Sequence, residues 1–414
     1  MLTLALLACG PGSIGLGELD SASTDDGLER IPDTDTSGDD DDDDSGDDDD
    51  SGHDTDDDAL EEAQYALFFD ATVMQEIHIE LTSDAIRALN GSPFIWQSGN
   101  IEVNGERYEN VAIRIKGSST LRDFDTKPSL KVKLNEYVPG QKYGGLERLT
   151  FNNMVEDGSQ SKEFVDYWVF DEAGMMASHT SYAHLTVNDE DFGLYTNLEA
   201  MDDHWVERRY AEAGGDLWEA NDSADFGRRG LSRWTLASGL GDRDALEAVM
   251  DAVDGSSGDF FDDLDGVIDM QQYLDFWAWS IAIGNPDGYP YTTNDCFLYA
   301  DPSDDGRFDF VPWGMDEAWS DWMTWNAAYT KLGYGCLQDT DCEQRLRDAV
   351  EGALQTYEQM DVLAYAEAGW ALSESVMLED PRRDFTPAEV DYYRDVLADY
   401  IVMWPTRMRA QMGG

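Results

Sequence analysis

The sequence predicts an α+β fold, with strands gathered in the N-terminal part of the chain and helices in the C-terminal part. Three observations carry this. From Val73 to Leu134, and again from Tyr182, apolar and polar residues alternate, and the runs are joined by hairpin signals such as Asn104-Gly105. After Trp319 the patterns are largely helical as far as Met412. Between these regions an apolar run, YLDFWAWSIAI, is closed by Gly284 and Pro286 and followed by two strand-like runs, CFLYA and RFDFVPW, joined by PSDDG.

Length and charge bound what such a chain does. Its 414 residues, 42% of them hydrophobic, are enough for a large core. A formal net charge of −61 excludes nucleic acid, whose phosphates it repels, and favours metal cations and basic protein partners. Residues 1–9, MLTLALLAC, are too short to span a bilayer. Leu6-Leu7-Ala8-Cys9 resembles a bacterial lipobox, so a lipid anchor at Cys9 is expected, with the missing basic n-region of a signal peptide expected upstream; the competing reading is a ragged N-terminus with a buried cysteine. Membrane contact is expected only through that anchor, which places the chain in the cell envelope, at the outer membrane or cell surface. Residues 10–62 are low in complexity and dominated by Asp, Ser and Gly; their like charges extend them into a disordered acidic tether. A globular body is expected over 63–414.

Taken in order, VMQEIHIEL reads as a strand and SDAIRALN as a short helix capped by Ser83. NIEVNGERYENVAIRIKG reads as a hairpin. In AIRIK, Arg114 and Lys116 project from one face; in KPSLKVKL, Lys131 and Lys133 stand opposite the apolar Leu130, Val132 and Leu134. Between these basic strands lies Gly117-Ser118-Ser119-Thr120, so the pair forms a cradle for phosphates unless it is only a solvated basic face. Gln160 to Ala173 reads as an amphipathic helix ended by Gly174, and YAHLTVNDEDFGLYTNLEAMDD as a hairpin turning at Asn188-Asp189. Residues 205–260 carry helical patterns, clearest in WVERRYAEAG and DRDALEAVMDAVDG. Helices follow at CEQRLRDAVEGALQTYEQM, DVLAYAEAGWALSESVM and TPAEVDYYRDVLADYIVMWPTRMRAQM, the last with Thr386 as cap and Pro387 at its first position.

The chemistry concentrates between Asn285 and Trp319. Asp287 sits in a turn past a buried helix, Asn294-Asp295 stands at a strand start, and Asp316 follows a hairpin. Metal-dependent phosphoryl transfer needs this order of parts: one carboxylate to orient the attacking hydroxyl, an Asn or Asp to hold a metal, and a further Asp to bridge metal and phosphate. A solvated acidic loop is the competing reading in a chain with 88 acids.

This stretch resembles the core of the CotH family, spore-coat protein H kinases with an atypical protein-kinase fold. The likeness lies in Asp287-Gly288-Tyr289, Asn294-Asp295, Leu298-Tyr299 and Pro312-Trp313-Gly314-Met315-Asp316. It extends to Arg114-Ile115-Lys116-Gly117-Ser118, Lys127-Pro128-Ser129, Lys131, Asn152-Asn153, Gly193-Leu194-Tyr195, Glu199 and Asp202. It implies a two-lobed kinase-like body, a β-rich lobe over 63–200 and a mostly helical lobe over 201–414. It also implies transfer of the ATP γ-phosphate to Ser or Thr of a protein substrate, basic and Ser-rich, by a monomer using Mg2+ or Mn2+. Asp287 is then catalytic, and Asn294 or Asp295 binds metal together with Asp316. The nucleotide is held by Lys116, Gly117, Ser118, Ser119, Lys127 and Lys131, with Lys127 on the phosphate and Glu199 and Asp202 at the hinge. Glu163 is a candidate partner for the phosphate lysine. For Glu199 and Asp202 the alternative is an acid pair at a helix N-terminus. Many relatives have Pro-Trp-Asp-x-Asp where this chain has Gly314. The rival to an enzyme is a non-catalytic coat or surface adhesion protein with a kinase-like fold.

Three strings are set aside. Asp191-Phe192-Gly193 and Asp225-Phe226-Gly227 spell a kinase signature, but both precede Asp287 rather than follow it. Asp263 to Asp269 imitates an EF-hand but lacks the closing bidentate acid, since Gln272 stands there. Among the cysteines, Cys336 and Cys342 are expected to form a disulfide in a polar loop, and Cys296 to be a buried thiol.

Overall fold

The computed structural model describes residues 55–320 and 323–413. Cys9 and the acidic tether through residue 54 lie outside the described residues. The described residues form one compact unit. Its first element is a helix, α1 (Thr55–Phe68), so ordered structure begins before the expected boundary at 63. The acids of that stretch are held from the body: Glu61 pairs with Lys142 at 2.6 Å and Glu62 with Arg208 at 3.0 Å.

Seven strands follow and close into a barrel: β1 (Gln75–Glu80), β2 (Gln97–Val103), β3 (Glu106–Lys116), β4 (Ser129–Lys133), β5 (Arg148–Asn152), β6 (Thr180–Val187) and β7 (Glu190–Glu199). Their order around the barrel is β1-β2-β3-β4-β5-β7-β6, and only the closing pair, β1 with β6, is parallel. Period-two alternation fills the interior with Ile77, Ile79, Val103, Ile113, Val132, Phe151 and Leu185. Both predicted hairpin turns form, with positive φ at Asn104 and Gly105 and at Asn188 and Asp189, as primed turns require. Helix α2 (Ser83–Gly91) is capped by Thr82, whose hydroxyl accepts from the Ala85 amide, and not by Ser83, which is already helical.

Helix α3 (Lys162–Glu172) runs between β5 and β6. Its first amides are held by Asp157, whose Oδ2 accepts from Ser161 at 2.6 Å and Lys162 at 2.8 Å. After α4 (Asp203–Arg209) comes a second, four-stranded sheet of order β11-β10-β8-β9. The hairpin β10 (Cys296–Asp301) and β11 (Arg307–Pro312) is as expected; β8 (Leu217–Ala220) and β9 (Trp234–Ser238) fall in a region read as helical. Strands of four and five residues are too short to show an alternation.

The remaining helices are α5 (Asp244–Gly255), α6 (Phe260–Leu264), α7 (Met270–Ala282), α8 (Lys331–Gln338), α9 (Thr340–Tyr357), α10 (Val362–Glu379) and α11 (Pro387–Met412). Helix α7 is apolar and buried over most of its length, with Gln271 and Asp275 on its outer side, and its buried residues join an extended core distinct from that of the barrel. Thr386 and Glu389 cap α11 reciprocally. Cys336 and Cys342 are disulfide-bonded, but they link α8 to the first turn of α9 rather than spanning a polar loop. Cys296 is a buried thiol at the start of β10. The EF-hand look-alike is the end of α6 and the turn into α7, and Arg307 binds Asp265 at 3.1 Å and Asp269 at 3.2 Å. Among the described residues, no helix is long and apolar enough to cross a membrane.

Candidate active site

The site is assembled from the end of β3, the end of β5, the first turn of α3 and two loops beside the second sheet. Lys116 closes β3 and Asn152 closes β5. The Lys116 ammonium donates to Asn152 Oδ1 at 2.5 Å, and Asn152 Nδ2 donates to both Glu163 oxygens, at 2.7 and 3.0 Å. The Trp313 ring lies 5.7 Å from the ammonium. Lys131 stands on the neighbouring strand, with Arg114 opposite it in register. Burial pushes the Lys131 amine down to about 8; Glu219 of β8 opposes this, while Arg114, Lys116 and Arg148 reinforce it. Lys116 is also pushed down by burial, against the pull of Glu163 and Asp316.

The acidic side is built on the end of α7. Gly284 turns there with φ +64, and a Cβ on it would strike the Trp404 ring of α11. Asn285 is buried and its Oδ1 accepts from the Asp287 amide at 3.1 Å, fixing the turn. The Thr292 hydroxyl donates to the Asp287 carbonyl. The chain leaving β11 then pairs with this turn, Trp319 N to Ile283 O and Ser320 N to Gly284 O, each at 3.1 Å. That pairing brings Asp316 toward Asp287.

Asp295 enters β10 in a left-handed conformation, with Asp287 among the charges that act on its carboxyl. Burial raises the Asp295 carboxyl well above the usual range, and Asp287 and Asp316 add to it. Asp316 is raised by burial, with Glu156 adding and Lys116 and Lys162 opposing. Glu163 is raised to about 8 by burial and by Asp316, against Lys116 and Asn152. A Cβ on Gly314 would lie 2.5 Å from the Asp295 carboxyl carbon, so the absence of a side chain at 314 is what makes room for Asp295.

The predicted residues sort accordingly. Lys116, Lys131, Glu163, Asp287, Asp295 and Asp316 come together electrostatically. Between Asn294 and Asp295, it is Asp295 that meets Asp287 and Asp316. Gly117, with φ +117, Ser118 and Ser119 form the loop at the rim, where Ser119 Oγ donates to Glu156 Oε2 at 3.2 Å.

Two expectations are corrected. Lys127 is not the phosphate lysine of this arrangement: it is buried in an ion pair with Asp380 at 2.5 Å, among Asp384 and Asp191 rather than the loop aspartates. It precedes β4, so strand alternation does not set its direction. Glu199 does not offer its carboxylate to a ligand; Arg209 (2.5 and 3.1 Å), Tyr65 Oη (2.6 Å) and the His179 amide (3.0 Å) occupy it. Its backbone amide is bonded to His179 O. Asp202 caps α4 by accepting from Trp205 N, as the helix N-terminal alternative expects, and lies 4.0 Å from Arg148 of β5. Burial holds its carboxyl up at about 6. The look-alike Asp225 is engaged by the Tyr289 hydroxyl and the Lys331 amide.

Sequence reasoning missed Asn152 as a contact and Glu219 altogether. Asn152 was visible only as half of the family-like Asn152-Asn153 pair, and Glu219 lies on one of the two unread strands.

Among the described residues, no three acidic, His or Cys side chains converge as a ready-made metal cage. The donor set nevertheless suits a hard divalent cation. Asp295 is crowded by the charges of Asp287 and Asp316, and a bound cation would relieve that repulsion through oxygen ligands.

A lysine linked through an amide to a helix-borne glutamate, facing crowded aspartates on an α+β scaffold, defines a kinase-like protein. The chain belongs to the CotH kinase protein family, whose model matches residues 113–401. It is similar to the inner spore coat protein H of Bacillus subtilis (strain 168), 24% identical over 238 residues, which is 53% of this chain and 61% of that protein. A solved structure, that of the Helicobacter pylori proinflammatory kinase CtkA, aligns with 68% of this chain and 95% of that one at 10% identity and TM-score 0.26, too distant a likeness to carry an argument.

Proposed function

We infer that this protein transfers the γ-phosphate of ATP to a Ser or Thr hydroxyl of a protein, in a cleft between a β-rich N-terminal lobe and a mostly helical C-terminal lobe. The observation that carries this is the single electrostatic neighbourhood shared by Lys116, Glu163, Asp287, Asp295 and Asp316. Lys116 binds phosphate oxygen, with Lys131 beside it and the 117–119 loop over it. Asp295 and Asp316 hold Mg2+ or Mn2+. The cation supplies charge neutralisation across the phosphates. Asp287 orients the acceptor hydroxyl and takes its proton. A basic, Ser-rich segment is the substrate chemistry that suits the acidic body. A lipid anchor at Cys9 and a coat or surface location, in keeping with the spore-coat relative, complete this reading.

That relative also favours a second reading, a coat component without catalysis. Nucleotide titration with and without metal, beside phosphorylation of a basic Ser-rich protein, separates the two. Asp316→Ala is expected to weaken metal-dependent nucleotide binding and turnover together. Asp287→Asn is expected to leave binding nearly intact and cut turnover roughly 10²–10⁴-fold. A wild-type chain that binds no nucleotide at any metal concentration leaves the coat reading in place.

A further inference from the structure

We propose that Asn152 is a positioning residue that holds the Lys116 ammonium toward the cleft by separating it from Glu163. Three elements meet at this amide. Its backbone is locked in the ladder opposite Thr196, Lys116 ends β3, and Glu163 sits in the first turn of α3. The orientation of the amide follows from its partners: an ammonium only donates, so it faces Oδ1, and both Glu163 oxygens then face Nδ2. Among the described residues, no ion pair within 4 Å ties Lys116 to Glu163. Asn152 is the one hydrogen-bond acceptor recorded for that ammonium, which leaves two of its three N–H groups for an anion. Aspartate at 152 would repel Glu163 and neutralise the lysine, and an aliphatic residue would let Lys116 collapse onto Glu163. The amide does neither, and it keeps the glutamate near enough to fix the geometry without using up the positive charge.

This rests on the kinase reading only for its ligand. The test is therefore run on two readouts. The first is affinity for metal–ATP in the full chain carrying Asn152→Leu or Asn152→Ser, side by side with wild type and with circular dichroism and melting as folding controls. Either substitution replaces a half-buried side chain and keeps the strand backbone, and the variant that melts closest to wild type is scored. The second is the pH midpoint of Lys116 acylation, read by mass spectrometry without nucleotide. Collapse onto Glu163 stabilises the charged amine, so the midpoint should move to higher pH. Affinity should fall about 10- to 100-fold, the range for one charge-assisted hydrogen bond. A midpoint that does not move overturns the proposal, whatever the affinity. A moved midpoint with unchanged affinity overturns it too, since the amine would then be placed equally well without the amide. If wild type binds no nucleotide, the kinase reading fails while the acylation midpoint still decides whether Asn152 governs Lys116.

Discussion

At the scale of single residues, the site is defined by carboxyls that are harder to ionise than carboxyls usually are. Glu163 shows this most plainly. It is buried, faces Asp316, and is raised to about 8 from an ordinary 4.5. In the unfolded chain it ionises near the ordinary value, so between about 4.5 and about 8 the folded state binds more protons than the unfolded one. Stability therefore falls as pH rises through that window, and the loss is complete above it. Glu163→Gln keeps the shape and removes the charge. The variant should flatten the decline in unfolding free energy between pH 5 and 8, an effect on the order of a few kcal/mol. Urea titrations across that range check it: an equally steep decline in the variant would mean that the burden lies on Asp295 or Asp316 instead.

At the scale of elements, the sequence showed those whose period is long enough to read and whose ends carry chemistry. The barrel hairpins announced themselves through Asn104-Gly105 and Asn188-Asp189, and α11 through Thr386-Pro387. What stayed hidden was short or was decided by distant partners. β8 and β9 have too few residues for an alternation. Lys127 looked like a phosphate lysine because nothing local reveals Asp380, 253 residues away. The loop acids were legible as a set, but the selection of Asp295 depends on Gly314, which only folding brings beneath it. Helix α3 joins both kinds of information. Its amphipathic run was legible from Gln160, its cap at Asp157 is shown only by the fold, and its consequence is the placement of Glu163 in the first turn. Asp157 accepts from the amides of Ser159, Ser161 and Lys162 and from the Ser159 hydroxyl, all while buried. Asp157→Ala should cost about 2 kcal/mol, the upper end for a lost helix cap, by urea denaturation. It should also weaken metal–nucleotide binding, because Glu163 loses its fixed origin. Lowered stability with unaltered binding would separate the cap from the site.

At the scale of the whole molecule, the barrel and the C-terminal helices are joined where α10 gives way to α11. Asp380 is fully buried there and receives the Lys127 ammonium, the Leu194 amide at 3.2 Å and the Arg382 amide at 2.7 Å. Gly193 is required beneath it, since a Cβ would overlap the Asp380 carboxylate. Arg382 extends the joint by donating to the carbonyls of Phe124 and Thr126 at 2.8 and 2.6 Å. Lys127 is thus a staple between parts of the chain far apart in sequence, and its removal should be felt in folding before it is felt in chemistry. Lys127→Met retains much of the side chain's bulk and leaves Asp380 as an uncompensated buried charge, a loss of about 3–5 kcal/mol. Pairing it with Asp380→Asn should recover part of that loss, because the stranded charge goes as well. If Lys127 instead touched phosphate, the double variant would refold well and still lose metal–nucleotide affinity. Equilibrium unfolding and nucleotide titration on wild type, both single variants and the double variant distinguish the cases. The staple requires that restored stability bring back wild-type affinity, with the phosphate contact resting on Lys116 and its neighbours and not on Lys127.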